Sequence, residues 1–175
     1  MAAQRLSRFA RKGMKPTVGA ASSPIGPWVW LFPLAYGFHI AEEYWQHFPN
    51  WVSHFSAPFI SNSQFLFLNG VFWLLMVISV VAIRARTPLG WLVATLATIL
   101  GVNAALHLLG SLVTRTYSPG SITAAFLYLP LVIYAFRQVL PRFTRALALR
   151  AAGLGVAIHA GVMLLAAHPS LLPTI

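Results

Sequence analysis

The sequence predicts an all-α fold, a polytopic transmembrane helical bundle of about five spans, and three observations carry that prediction. Of the 175 residues, 58% are hydrophobic and only 8% charged, whereas a soluble domain carries about 25% charged residues. So few charges cannot cover a water-exposed surface, and the mean hydropathy of +0.74 agrees. The apolar residues also gather into five runs of membrane-spanning length. Finally, the basic residues sit in the gaps between those runs rather than spread along the chain.

Taken in order, residues 1–26 are polar and basic (Arg5, Arg8, Arg11, Lys12, Lys15) and read as a cytoplasmic arm ahead of a membrane domain over residues 27–170. The apolar runs are residues 27–45, 65–83, 91–113, 122–140 and 146–167. A helix needs about 20 residues, each rising ~1.5 Å, to cross the hydrocarbon core, and each run is near that length. The first run holds two glutamates and ends without a small-residue cleavage site, so it is expected to stay as a span rather than be removed as a signal peptide. Residues 46–62 carry no charged side chain. They place Trp51, Phe55 and Phe59 four apart, as an aromatic-anchored interfacial helix would. In the fifth run Gly153, Ala157 and Gly161 share a face suited to close helix packing.

Arg5, Arg8, Arg11, Lys12, Lys15, Arg84, Arg86, Arg137, Arg142, Arg145 and Arg150 fall on one side of a five-span arrangement, and Arg115 alone on the other. Because Lys and Arg are retained on the cytoplasmic side, the amino terminus is expected inside and the carboxyl terminus outside. Four spans would put Arg84 and Arg86 opposite the arm. The net charge of +10 would suggest nucleic acid in a soluble protein, but its placement between spans assigns it to topology, and no nucleic-acid partner is expected. With no cysteine, neither a disulfide framework nor a thiolate metal site is possible.

The chemistry-bearing residues are few. Glu42 and Glu43 are the only acidic residues in the chain, and both lie inside the first span, where an ionisable group is costly and marks function by default. His39 precedes them by three and four residues, so it can share a helix face with either. Asn103 and His107 are likewise four apart on the third span. Counted at ~1.5 Å per residue from each span's outer end, His39 lies ~9 Å deep, Asn69 ~6 Å, His107 ~9 Å and His159 ~12 Å. Spans running in opposite directions therefore bring these groups to one level, as expected of a single polar site in the outer half of the bundle. His47, His54 and His168 fall at or beyond the surface.

His39-Ile-Ala-Glu42-Glu43, the later His107, and Tyr117-Ser118-Pro119-Gly120 resemble the HXXEE-motif family of membrane proteins. That family is defined by an H-x-x-E-E motif, a further histidine and a Y-x-P-G motif. It is largely bacterial, which implies a bacterial inner membrane, and it has no established activity. The resemblance supports the site residues without naming a reaction. Tyr117-Ser118-Pro119-Gly120 by itself suits a turn followed by a helix start; the N–H groups opening that helix could also face an anion in the same pocket.

Three function classes fit these residues. In the first, a membrane metalloenzyme, His39, His107 and one glutamate (assigned as Glu43) bind a divalent metal, zinc or iron, leaving positions open for water or substrate. The other glutamate serves as general base, so Glu42 and Glu43 are the candidate catalytic residues, with Asn69, Asn103, Tyr117, Gly120 and His159 in support. Two carboxylates are too few for a ferritin-like di-iron site. The expected partners are the lipid bilayer and a lipid-like small molecule, such as an isoprenoid, undergoing hydrolysis, isomerisation or oxidation. The second class is a metal-free acid/base isomerase or cationic-lipid binder. The third is an ion or proton carrier or a non-catalytic subunit, although polar residues in the inner half are few (Ser79, Thr95, Thr98).

Overall fold

Backbone N–H and C=O groups in hydrocarbon have no partners but one another, so apolar runs of this length become helices. A computed structural model describes residues 25–55, 60–85 and 87–174 and contains no strand among them. The basic side chains of the expected arm, Phe59 and Arg86 lie outside the described residues. A 3-10 turn at Pro27–Trp30 leads into α1, Leu31–Trp45. The chain then turns at His47, with φ 54°, into the short α2, Phe48–Ser53. Four longer helices follow: α3 Asn62–Ala85, α4 Trp91–Thr114, α5 Ser121–Arg142 and α6 Arg145–Ala167.

These four are long and apolar enough to cross a membrane. The first of the expected spans takes a different form. Its helix has 15 residues and carries both glutamates, and only with the preceding 3-10 turn does it fill residues 27–45. It nevertheless packs in the same bundle, against α3 and α4 and the start of α5. Of the interfacial helix expected over residues 46–62, the described residues form the short α2. Ser53 Oγ and His54 Nδ1 both turn back onto the Asn50 carbonyl, at 2.7 and 2.6 Å, and such local bonds compete with helix continuation. Phe55 follows in a turn, its ring still 5.0 Å from that of Trp51.

α4 is the central helix: 44% of its span is buried, against 17–33% for the other three. Val93, Ala97, Leu100 and Ala104 run through its core face. Outward-facing Leu112, Val113, Phe126 and Leu164 are each more than 60% exposed, a surface suited to lipid and not to water. Where α6 crosses α4, a Cβ on Gly155 would stand 2.7 Å from the Thr95 carbonyl oxygen and from Thr98 Cβ, so only glycine permits this approach. The packing face of α6 is thus Ala151, Gly155 and His159. The expected Gly153, Ala157 and Gly161 face is turned outward, and a Cβ on Gly153 or Gly161 would meet nothing within 4 Å.

Two features of α5 shape its entry into the bundle. Gly120 caps it with φ +98°. A π-helical turn then occupies Ala124–Tyr128, just before Pro130, whose ring and missing N–H disfavour a regular turn there.

Candidate metal centre

The carboxyl end of α1, the amino end of α3, the carboxyl ends of α4 and α6 and the start of α5 meet at one end of the bundle. His39 and Glu43, one helical turn apart, face inward there and are 0% and 4% exposed; His107 reaches them from α4 at 5%. One Glu43 oxygen lies 3.5 Å from His39 Nε2 and the other 3.3 Å from His107 Nε2. The imidazole rings stand edge to face, centroids 4.8 Å apart. One ligand atom from each residue falls within 4.8 Å of the others, a spacing that could hold a metal ion.

Hydroxyl groups at the start of α5 fix both rings from behind. His39 Nδ1 is 2.7 Å from Thr123 Oγ1, and that hydroxyl donates to the Gly120 carbonyl at 3.2 Å. A hydroxyl has one proton to give; with it on the Gly120 carbonyl, His39 donates its Nδ1–H to Thr123 Oγ1. In the neutral ring Nε2 is then a lone pair directed at a carboxylate, and His39 Nε2 indeed has no hydrogen-bond partner. His107 Nδ1 lies 3.2 Å from Ser118 Oγ. A hydroxyl holding the far nitrogen of a ligand imidazole is the usual way to set its tautomer and direction.

Glu42, adjacent in sequence, points about 100° away around the helix and does something else. Its carboxylate accepts the backbone N–H groups of Gly120 and Ile122 at 3.1 Å and of Thr123 at 2.7 Å, and the Tyr117 hydroxyl as well. α5 has no capping side chain of its own at Gly120, and Glu42 supplies one from α1, its charge offsetting the positive end of the helix dipole. Burial, together with the Glu42 carboxylate it donates to, pushes the Tyr117 hydroxyl up to about 12, so it remains a donor at neutral pH. Glu42, expected as a catalytic group, has its oxygens engaged by these four donors. The anion facing the N–H groups of α5 is therefore the protein's own carboxylate.

Gly120 binds the two halves together. A Cβ there would lie 2.7 Å from His39 Cε1 and 2.9 Å from His107 Cε1. The backbone therefore passes directly against both rings at the residue whose N–H meets Glu42.

The remaining expected residues line a cleft of about 520 Å³ that opens from Glu43 and His107. Asn69 accepts from the Tyr36 hydroxyl at 2.7 Å and donates to the Phe65 carbonyl at 3.0 Å, and forms a finished part of the wall. Asn103 and His159 differ, since Asn103 Oδ1 and His159 Nε2 are buried without a partner. Phe48 of α2 lies over His107, ring centroids 5.1 Å apart, and Trp51 bonds Thr116 at 3.1 Å. Sequence reasoning did not single out Thr123, Tyr36, Tyr128 or Phe48. Thr123 carried a weak signal, a hydroxyl three residues after the capping glycine. The other three carried none.

Four apolar helices of spanning length and a buried His/Glu cluster define a helical membrane protein with a candidate metal centre. Residues 30–135, more than half of the chain, match the family described as "Protein of unknown function with HXXEE motif", and the protein belongs to that family. No curated protein and no solved structure matches the chain. The geometry gives the motif a physical sense: its histidine and second glutamate face the cluster, and its first glutamate caps the helix that the Y-x-P-G segment opens.

Proposed function

We propose that the protein is a mononuclear metalloenzyme of the bacterial inner membrane, with His39, Glu43 and His107 holding zinc or iron, and that its substrate is a lipid. The observation that carries the reading is the approach of His39 Nε2, which has no hydrogen-bond partner, to a Glu43 oxygen at 3.5 Å in a buried site; with Nδ1–H donated to Thr123, both atoms are acceptors. Two acceptors so placed call for a cation or a proton between them. Metal bonds of about 2.0–2.2 Å put ligand atoms about 3–3.5 Å apart, and the two Glu43 contacts, 3.3 and 3.5 Å, fit. Two imidazoles and one carboxylate suit zinc or ferrous iron, and such an ion would supply Lewis acidity and an acidified water at its open position.

The chain's own groups divide the rest of the work. Thr123 and Ser118 orient the imidazoles, Glu42 and Gly120 hold the hydroxyls in place, and Phe48 keeps water from His107. With Glu42 committed elsewhere, His159 Nε2 is the unpartnered titratable nitrogen on the cleft wall and can hold or release a proton. The polar residues expected to serve a carrier are spent on backbone carbonyls: Ser79 on Leu75, Thr95 on Ala151 and Thr98 on Ala94. Their hydroxyl protons are committed to the protein's own backbone, which favours the enzyme over the carrier.

Elemental analysis of the purified full chain tests the reading. Stoichiometric zinc or iron is expected, lost in His39→Ala, His107→Ala and Glu43→Gln but retained in His159→Leu. A metal-free parent protein would overturn it.

A further inference from the structure

Past the cluster, the cleft runs along α4 between α3 and α6. At the site end these two helices are clasped. Phe65 and Leu68 pack with Ala166, and Gln64 donates to the Pro169 and Pro173 carbonyls at 3.1 and 3.3 Å. Between their backbones close approaches are few. The edges of the resulting slot are large apolar side chains that both line the cleft and face outward: Leu75 and Ile78 on α3, Leu154 and Met163 on α6. From His107 to Leu92 on α4 the cleft extends ~22 Å at 1.5 Å per residue, longer than the ~15 Å half-thickness of a hydrocarbon core.

Polarity is confined to one end of this space. Thr95 and Ser79, deep in the cleft, have their hydroxyls bonded to backbone carbonyls and offer nothing to a ligand. Near the metal centre the opposite holds. Asn103 Oδ1, Tyr128 Oη and His159 Nε2 are buried, line the cleft and lack partners; Tyr128 is 0% and His159 6% exposed. An unpaired buried polar group costs stability, so three of them around one space point to a ligand that pairs them. Between them they offer an acceptor at Asn103, a donor at Tyr128 and either at His159, which matches a hydroxyl, able both to donate to Asn103 and to accept from Tyr128.

We infer that this cleft takes a lipid with one long apolar chain and an oxygen-bearing polar end. It enters sideways from the bilayer between α3 and α6 and sets its polar end on Asn103, Tyr128 and His159 beside the metal centre. This names the substrate class of the site proposed above and rests on that reading for chemistry, but binding itself requires no metal.

The test uses the full chain in lipid nanodiscs and hexadecanol carrying a diazirine at its methyl end, with photolabelled residues mapped by mass spectrometry. Saturable labelling is expected around Leu92–Leu96 and Leu154, displaced by unlabelled hexadecanol. Ile99→Trp, which fills the cleft, and Met163→Trp, which blocks its edge and leaves the core alone, should each abolish it. His159→Leu combined with Asn103→Leu should raise the half-saturating concentration about tenfold, as for one or two lost hydrogen bonds. Unsaturable labelling spread equally over Leu112, Val113 and Phe126 would overturn the cleft, and unchanged half-saturation in the double variant would overturn the polar anchor. Metal content measured on the same samples separates the two readings. Specific labelling of a metal-free parent sinks the metalloenzyme and supports the cleft; a metal-loaded parent without specific labelling does the reverse.

Discussion

Gly120→Ala should perturb both halves of the site at once, although position 120 contributes no side chain. Two costs arise together. At φ +98° an L-residue is strained by about 1–2 kcal/mol. The new Cβ, 2.7 Å from His39 Cε1 and 2.9 Å from His107 Cε1, adds an overpacking cost of about 1–3 kcal/mol. Both neighbours are buried rings held at Nδ1 by hydroxyls, so neither can yield without losing its direction. The expected loss is roughly 2–5 kcal/mol, or on the order of 10 °C in thermal midpoint for a chain of this size. Metal affinity should fall about 10–100-fold, the usual cost of disturbing the groups behind a ligand. The assay is a thermal melt beside a zinc titration in the same detergent, with Gly153→Ala as control. A Cβ at position 153 meets nothing within 4 Å, and that change should be neutral or stabilising by up to ~1 kcal/mol through helix propensity. A Gly120→Ala protein that melts and binds zinc like the parent would refute the account of the site.

Glu42→Gln should retain metal yet melt lower, because an amide in place of the carboxylate turns a donor towards the N–H groups of Gly120, Ile122 and Thr123; loss of metal there with unchanged stability would return Glu42 to the ligand set. The Tyr117 hydroxyl is raised from 10.0 to about 12, so its contribution is complete below pH 10 and is lost as pH rises through 12. Melts across that window should fall in the parent and stay flatter in Tyr117→Phe, and parallel curves would exclude the Tyr117–Glu42 bond as their source. We further propose the five-span topology with the amino terminus inside: a reporter after Ile175 should be exported and one near Arg86 should remain cytoplasmic, and a cytoplasmic carboxyl terminus would move the site to the inner leaflet.

Much of the fold was legible because each helix is bounded by signals that do not depend on its neighbours, namely apolar length and the breaks at Pro, Gly and Arg. The four-residue spacing of His39 and Glu43 and the common depth of His107 needed only helix geometry. The rotation of each helix about its own axis was not legible. In water a polar face marks the outside, but lipid is as apolar as the core, so Gly155 could not be told from Gly153 or Gly161 as the packing position. The same blindness hid the cleft, since Leu96 in its wall and Leu112 in lipid are one residue type. It also hid Tyr128 and Phe48, which matter only through what they face. The division between Glu42 and Glu43 depended on where α5 begins, a tertiary fact.

That division bears on how the site is built. Adjacent residues on a helix point about 100° apart, so a Glu-Glu pair at the end of α1 addresses two neighbours at once. Glu43 meets His39 and His107, and Glu42 takes the first N–H groups of α5. The hydroxyls that aim the imidazoles, Ser118 and Thr123, flank the turn that Glu42 grips. Movement of α1 against α5 therefore cannot displace the carboxylate of the cluster without also displacing the partners of its histidines. α1, shorter than the four helices of spanning length, is locked to the bundle at the level of the His/Glu cluster. A single glutamate could ligate or cap, but not both, and a site assembled from α1, α4 and α5 needs both. The adjacency of the two acids thus follows from the geometry of one helix end serving the His/Glu cluster and a helix start together.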